Sequence, residues 1–340
     1  MSDTRPDPRW KGPTVAKIAE LAGVGTASVD RVLNNRPGVK EKTRQKVMAA
    51  YEKLSLEKET GRTLDLRFFC ESGETFIAAM EQAVDRVNRT LAGAHITSHC
   101  VPTSRMNPAQ FARQVEQDCA EADGVLVIAR EHPAVNRAMR KLVGKGAGVV
   151  CLTTDLPSSR RSAYIGNDQH AAGSVAAFLI GQILPKTPGK ILIVMSEAFR
   201  AQQEREMGFR RVLRAEFPHL KIDERVVADD QPETVRKQLL AYFAEGNAPA
   251  AVYNTAGANR GVGMALTESG LVDRTIFVGH ELTGHSRALL EAGVMDYVIS
   301  HDYTQEVMQA AQWLVQFRQG VTVDPAFSQI LVHTKYNCDL

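Results

Sequence analysis

A chain of 340 residues with 44% hydrophobic content has room for a small head and a larger body that is itself two lobes. No stretch approaches the ~20 consecutive apolar residues of a spanning helix, and the polar segment Met1 to Lys11 lacks the apolar run of a signal peptide. Both features argue against a membrane protein and against a secreted transport-type binding protein. The net charge of +2 is unevenly spread, since residues 1 to 62 hold 13 Lys and Arg against 8 Asp and Glu, leaving 28 against 31 for the rest. A basic head on a slightly acidic body is the polarity of a chain that neutralises phosphates at one end. The five cysteines, Cys70, Cys100, Cys119, Cys151 and Cys338, are widely spaced with no Cys-x-x-Cys pair. They read as buried thiols of a cytoplasmic protein, with no metal and no cofactor.

Residues 1 to 13 hold three prolines and read as a disordered arm, with Arg5, Arg9 and Lys11 either brushing phosphates or solvated. Thr14 can cap a first helix whose Val15, Ile18, Ala19 and Leu21 form an apolar face, and Gly23 supplies the left-handed turn that stops it. A second helix starts near Thr26. Its Val29, Val32 and Leu33 fall three and four apart and turn inward, leaving Thr26, Ala27, Ser28, Asp30 and Arg31 outward. That is helix-turn-helix spacing, with the small Ala19 at the crossing and Gly23 in the turn. A third helix, about Glu41 to Leu54, places Val47, Ala50, Tyr51 and Leu54 on one face, so the DNA-binding unit is expected over 14–54. The charged stretch Ser55 to Thr63, with Gly61 as breaker, then reads as a short linker.

From Leu64 onward short apolar runs alternate with helical periodicity: strands at Leu66–Cys70, Ile96–Val101, Gly124–Ala129 and Val149–Thr153, helices at Phe76–Leu91, Pro108–Ala120 and Pro133–Val143. After Ile165 the alternation resumes with a helix from Gln169 to Ile183 and continues to a long helix at Thr304–Arg318. Strand then helix, repeated about ten times, exceeds one sheet. The expected fold class is a small all-α helix-turn-helix head followed by two doubly wound parallel-sheet α/β lobes, with a ligand cleft at the carboxyl ends of the strands. Lobe 1 is expected at about 64–166 and 301–326, and lobe 2 at about 167–300 and 327–340.

The head motif Val15-Ala-x-Ile-Ala-x-x-Ala-Gly-Val24, followed by Ser28-Val29-x-Arg31-Val32-Leu33-Asn34, resembles the DNA-binding head of the lactose-repressor (LacI) family of transcriptional regulators. More loosely, the body resembles the sugar-binding sensor domain shared by that family and the type I periplasmic binding proteins. Its motifs are Asp123-Gly124-Val-Leu-Val-Ile, Thr154-Asp155-Leu156-Pro157, Ile165-Gly166-Asn167-Asp168, Arg205-Glu-Met-Gly208-Phe209-Arg210, Val252-Tyr253-Asn254, Val278-Gly279-His280-Glu281 and Ile299-Ser-His301-Asp302. The resemblance implies a homodimer on double-stranded operator DNA, contacted by Thr14, Thr26, Ala27, Ser28, Arg31, Asn34, Thr43 and Arg44. Ala27 can touch a thymine methyl but offers no bidentate hydrogen bond. Two departures stand out. Gly25 and Asp30 replace the family's serines, which removes a helix cap and leaves Asp30 either an anion near phosphate or a partner for Arg31 or Lys42. The family's Pro-Asn and Ala-Arg-x-Leu hinge is also missing. Leu56, flanked by Glu57 and Glu59, is the only apolar candidate before Leu64, and the expectation is that it packs on the third helix and wedges no minor groove.

In the body, the resemblance implies that Asp155, Arg205, Asn254 and Glu281, with Phe76 and Asp302, bind a small polar effector: a sugar, sugar alcohol or sugar acid. Carboxylates accept from hydroxyls, Arg and Asn donate to oxygens, and an aromatic face covers a sugar's apolar side. Each residue could equally cap a strand, and Phe76 could be core. His280 and His301 read as satisfied buried histidines. The run Gly257-Ala-Asn-Arg-Gly261-Val-Gly263-Met-Ala-Leu266, with Glu281 some twenty residues on, imitates a dinucleotide fingerprint, but Leu266 stands at the third glycine position. No nucleophile-elbow, zinc or Walker pattern appears. The chain therefore reads as a non-enzymatic, ligand-responsive regulator, the alternative being a Rossmann-like nucleotide-dependent enzyme fused to a DNA-binding head.

Overall fold

The computed structural model describes residues 13–34, 36–60, 63–196, 199–227, 229–321 and 324–339; the side chains of residues 52, 55–60, 224 and 225 fall outside that description. The expected N-terminal arm, with Arg5, Arg9 and Lys11, and the side chain of Leu56 therefore lie outside the described residues.

The head is three helices: α1 (Val15–Ala22), α2 (Thr26–Leu33) and α3 (Glu41–Thr60). Thr14 caps α1 by accepting from the Lys17 amide at 3.4 Å, and Gly23 ends it in the left-handed conformation at φ 63°. Gly25 stands at the N-cap of α2 with no side-chain hydrogen bond to offer. Ile18, Ala19, Ala22, Val29, Val32, Val47 and Ala50 close a small core, with Tyr51 and Leu54 packed against it. Leu21 is not part of it: the helical period puts Ala22, four residues after Ile18, on the inner face and leaves Leu21 exposed. Helix α3 runs six residues past the expected end at Leu54, because Leu56, Glu57, Lys58 and Glu59 are good helix formers and the first breaker is Gly61.

The body holds two sheets. The first comprises β1 (Leu64–Ser72), β2 (Ala94–Pro102), β3 (Gly124–Ile128), β4 (Gly148–Leu152) and β5 (Ala163–Ile165), all parallel, in the order β2-β1-β3-β4-β5. The second comprises β6 (Gly189–Met195), β7 (Leu220–Val227), β8 (Ala251–Asn254), β9 (Ile276–His280), β10 (Tyr297–Ser300) and β11 (Leu331–His333), in the order β11-β10-β9-β8-β6-β7. Among the described residues, only β11 runs antiparallel. Helices α4 (Glu74–Asn88), α5 (Pro108–Asp118) and α6 (Pro133–Gly144) cover the first sheet, while α7 (Gln169–Ile183), α8 (Arg200–Glu216), α9 (Pro232–Ala244), α10 (Asn259–Glu268) and α11 (Gly284–Glu291) cover the second. Helix α12 (Tyr303–Arg318) crosses back to pack on the first sheet through Val307, Ala310, Ala311 and Leu314. The chain thus passes between the lobes three times, after β5, after β10 and after α12. The short β5 and β11, three residues each, were not anticipated because three residues carry too little periodicity.

One crossing fixes the geometry that matters later. A Cβ added at Gly173 of α7 would lie 1.9 Å from the Arg205 carbonyl oxygen, and one at Gly208 of α8 would lie 1.9 Å from that of His170. The two glycines let α7 and α8 touch backbone to backbone, which seats Arg205. Gly173→Ala should therefore destabilise the protein by about 3 kcal/mol in urea unfolding, since overpacking outweighs the ~1 kcal/mol gain in helix propensity. A loss below ~1 kcal/mol would mean that the helices part easily and that the glycines do not set their spacing.

Candidate functional site

Both sheets reverse strand order next to their first strand, between β1 and β3 in one and between β6 and β8 in the other. In doubly wound sheets such a switch point opens a crevice at the carboxyl ends of the strands. The two crevices face each other. Between them lies a pocket of about 460 Å³ of empty space, its open mouth included, lined from the first lobe by Ser72, Phe76 and Ile128 and from the second by Phe199, Gln202, Arg205, Asp230, Thr255 and Glu281. Thr153 and Thr154, just past the end of β4, complete the wall.

The centre of the site is a buried ion pair. Arg205 Nη2 donates to Glu281 Oε1 at 2.7 Å, Nη1 to the Thr255 carbonyl at 3.0 Å and Nε to Gln169 Oε1 at 2.7 Å. Glu281 Oε2 accepts from the Tyr303 hydroxyl at 2.8 Å and lies 3.3 Å from His301 Nε2. Burial alone would raise the Glu281 pKa; the Arg205 guanidinium and His301 outweigh it and hold the carboxyl well below the ordinary 4.5. Next door, burial pushes His280 well below its ordinary value, so it is neutral and shares a hydrogen bond of 2.9 Å with the Tyr253 hydroxyl.

Backbone strain gathers at the same place. Thr153, Arg160, Asp230 and Glu281 are the non-glycine residues with positive φ among the described residues, and three of them, at φ 57°, 61° and 69°, line the pocket. Left-handed backbone at a threonine or a glutamate costs of order 1–3 kcal/mol and is held only where the surroundings over-determine it. Glu281 is so held: its amide donates to the Ile299 carbonyl at 3.0 Å and its carbonyl accepts from Ser286 Oγ at 2.8 Å.

Of the expected effector residues, Phe76, Arg205 and Glu281 line the pocket, and Phe76 is at once lining and core, edge-on to Tyr303 at 5.4 Å. The other three do not line it. Asp155 is drawn aside by Arg161, which it binds at 2.5 and 2.7 Å. Asn254 is fully buried, donates to Asn259 Oδ1 at 2.6 Å and accepts from the Ala256 amide at 3.1 Å, thereby holding the turn into α10. Asp302 is exposed and caps α12 by accepting from the Gln305 amide at 2.9 Å. Sequence reasoning passed over Ser72, Thr153, Thr154, Gln202 and Asp230; all but Gln202 are polar residues at or just past strand ends, and Gln202 lies one helical turn before Arg205. The glycines of the fingerprint-like run serve packing, since a Cβ at Gly261 would lie 2.3 Å from the Pro232 carbonyl and one at Gly263 would lie 2.5 Å from Leu289.

In the head, Thr26, Ala27 and Arg31 are exposed on α2, Ser28 is half-buried, and Thr43 and Arg44 are half-buried on α3. Asp30 pairs with neither Arg31 nor Lys42. Its carboxylate binds Arg36 at 3.0 Å and accepts from Asn34 Nδ2 at 2.8 Å, so that the Asn34 side chain is oriented by the end of its own helix.

Two family models match. Residues 14–56 match the bacterial regulatory proteins of the lacI family and residues 68–321 match the periplasmic binding protein domain. The chain joins a lacI-family helix-turn-helix head to a body that belongs to the periplasmic binding protein domain family. It is 26% identical over 178 residues to the HTH-type transcriptional regulator GalR of Escherichia coli, a match covering 50% of each chain. It is also 42% identical over 60 residues, 17% of each, to an uncharacterised HTH-type regulator of Streptomyces limosus. The matched region thus spans at most half the length of these curated relatives. Among solved structures, a solute-binding protein of Burkholderia graminis in complex with D-arabinose superposes with a TM-score of 0.75 at 18% identity, covering 81% of this chain and 96% of that one. One from Bacillus halodurans with bound myo-inositol gives 0.73 at 16%, covering 82% and 96%. These likenesses show the two-lobe fold.

The ion pair has a pH signature. Because the folded pKa of Glu281 is depressed, its stabilisation is full above the ordinary 4.5 and fades as pH falls below it. Glu281→Gln, which leaves Arg205 buried without its counter-charge, should cost about 3–5 kcal/mol at pH 7 in urea unfolding, and the gap to the native protein should narrow in acid. A gap that widened on acidification would contradict this assignment.

Proposed function

We propose that this protein is a transcriptional regulator that binds a two-fold palindromic operator as a homodimer in the cytoplasm, and whose operator affinity is set by a small polyhydroxylated effector in the interlobe pocket. The observation that carries the reading is the union, in one chain, of a helix-turn-helix head with a pocket at both switch points that joins an ion pair, hydroxyl side chains and two aromatic faces. Phe76 and Phe199 offer apolar surface to a sugar ring; Ser72, Thr153, Thr154, Gln202 and Asp230 offer donors and acceptors to its hydroxyls. The ligands named for the superposed solute-binding proteins, D-arabinose and myo-inositol, are of the same chemical class. Arg205 enters this reading in a changed role. With each of its nitrogens already donating inside the protein, it holds Glu281 in place, and a ligand meets the pair as a unit.

On DNA, Thr26, Ala27 and Ser28 at the start of α2 face base edges, Arg31 and Asn34 follow them, and Thr14, Thr43 and Arg44 contact phosphates. A head of this size makes few contacts alone, and two heads on symmetric half-sites act as one ligand.

A thermal-shift screen of sugars, sugar alcohols and sugar acids tests the pocket. A true effector at 100 times its Kd should add ~2.7 kcal/mol of stability. If no member of the three classes stabilises the protein, the effector reading fails. On an operator selected from random DNA, Arg44→Ala should weaken binding to every variant and lower the salt slope by about one, whereas Ala27→Gln should change which bases are preferred. Equal losses on all variants from both substitutions would refute the assignment.

A further inference from the structure

His301 stands directly after β10, in the second of the three crossovers between the lobes, and is 3% exposed. Its Nε2 lies 3.3 Å from Glu281 Oε2 in the pocket wall, and its Nδ1 lies 2.8 Å from Glu306 Oε2 on α12. The other Glu306 oxygen accepts from the hydroxyl of Ser328, in the third crossover. Ser328 in turn bridges to Asn167 and donates its amide to the Gly166 carbonyl at 3.0 Å, in the first crossover. One buried polar path therefore joins the pocket to all three segments about which the lobes must turn.

We propose that His301 is a positioning residue that fixes the pocket carboxylate Glu281 to the interlobe hinge through Glu306 and Ser328. This rests on the reading of the pocket as the effector site. The charges support it. Arg205, Glu281, His301 and Glu306 alternate in sign along the path, so each buried carboxylate lies beside a cation and no net charge is stranded. The groups facing His301 are Glu281 and His280 at the end of β9 and Tyr303 and Glu306 on α12, with Arg205 beyond Glu281; the Tyr303 ring stands edge-on to the imidazole at 4.8 Å. Burial alone would lower the His301 pKa, but Glu306 and Glu281 overcome it and raise it to about 10, so the ring is an imidazolium at neutral pH. A ligand that pulls on Glu281 then pulls on a charged tether to the hinge, which is a differential contact of the kind a two-state shift needs.

The test uses the full-length protein without effector, in native form and as His301→Gln, Glu306→Gln and the double variant. The native imidazole should titrate near pH 10 by NMR. The stability advantage of native over His301→Gln should be full below the ordinary value of 6.5 and should vanish as pH rises to about 10. Amide exchange at 166–168 and 326–329 should speed up at least ~10-fold in either single variant, with β6 unchanged, and the double variant should be no worse than the worse single one. If His301→Gln does not fold, Ser328→Ala carries the exchange test, read at 166–168. An imidazole titrating at or below 6.5, or exchange that rises only at 300–302, would overturn the proposal. Neither result bears on the effector reading, which the sugar screen decides.

Discussion

The body of this protein depends on the Arg205–Glu281 pair, which is 3% and 7% exposed. Removing two charges from water costs several kcal/mol each, and only close, fully hydrogen-bonded geometry offsets that cost. Here the partners come from α7 through Gln169, from the end of β8 through the Thr255 carbonyl and from α12 through Tyr303. Satisfying the pair therefore ties the start of α7, the residue after β8 and the start of α12 to one point beside α8. A well-packed apolar replacement would often be as stable or more so. What the charged version adds is a pocket wall whose arrangement is set by discrete hydrogen bonds and so has few alternatives.

Strain and polarity coincide at that wall. Thr153, Asp230 and Glu281 all hold left-handed backbone there, at the mouths of strands from both lobes. Such conformations are stable only while the lobes and their connections stay packed, so a ligand that bridged the lobes would act on residues already poised by the whole fold.

Much of the architecture was legible in the sequence, for physical reasons. The head announces itself because Ala19, Gly23, Val29 and Val32 must sit at fixed offsets for two helices to cross, and the body because strand and helix periods alternate. What escaped was what periodicity does not encode. Helix α3 continues through Ser55 because charged helix formers suffice where no breaker intervenes. The family resemblance named Arg205 and Glu281, which do line the pocket, but a resemblance gives position and not direction. Asp155 was captured by Arg161 six residues on, Asn254 turned to hold the start of α10, and Asp302 became a helix cap. In the head, Asp30 found Arg36, beyond the helix that carries it, where no i to i+4 rule would look.

If the pocket holds the effector, its occupancy changes affinity for DNA. The most direct measurement of that change is fluorescence anisotropy of the intact protein on a palindromic operator selected from random DNA, at fixed salt, with and without the sugar that stabilises the protein most. Operator Kd should change by roughly 5- to 150-fold at saturating sugar. A sugar that binds and stabilises the body while leaving the operator Kd unchanged would contradict it.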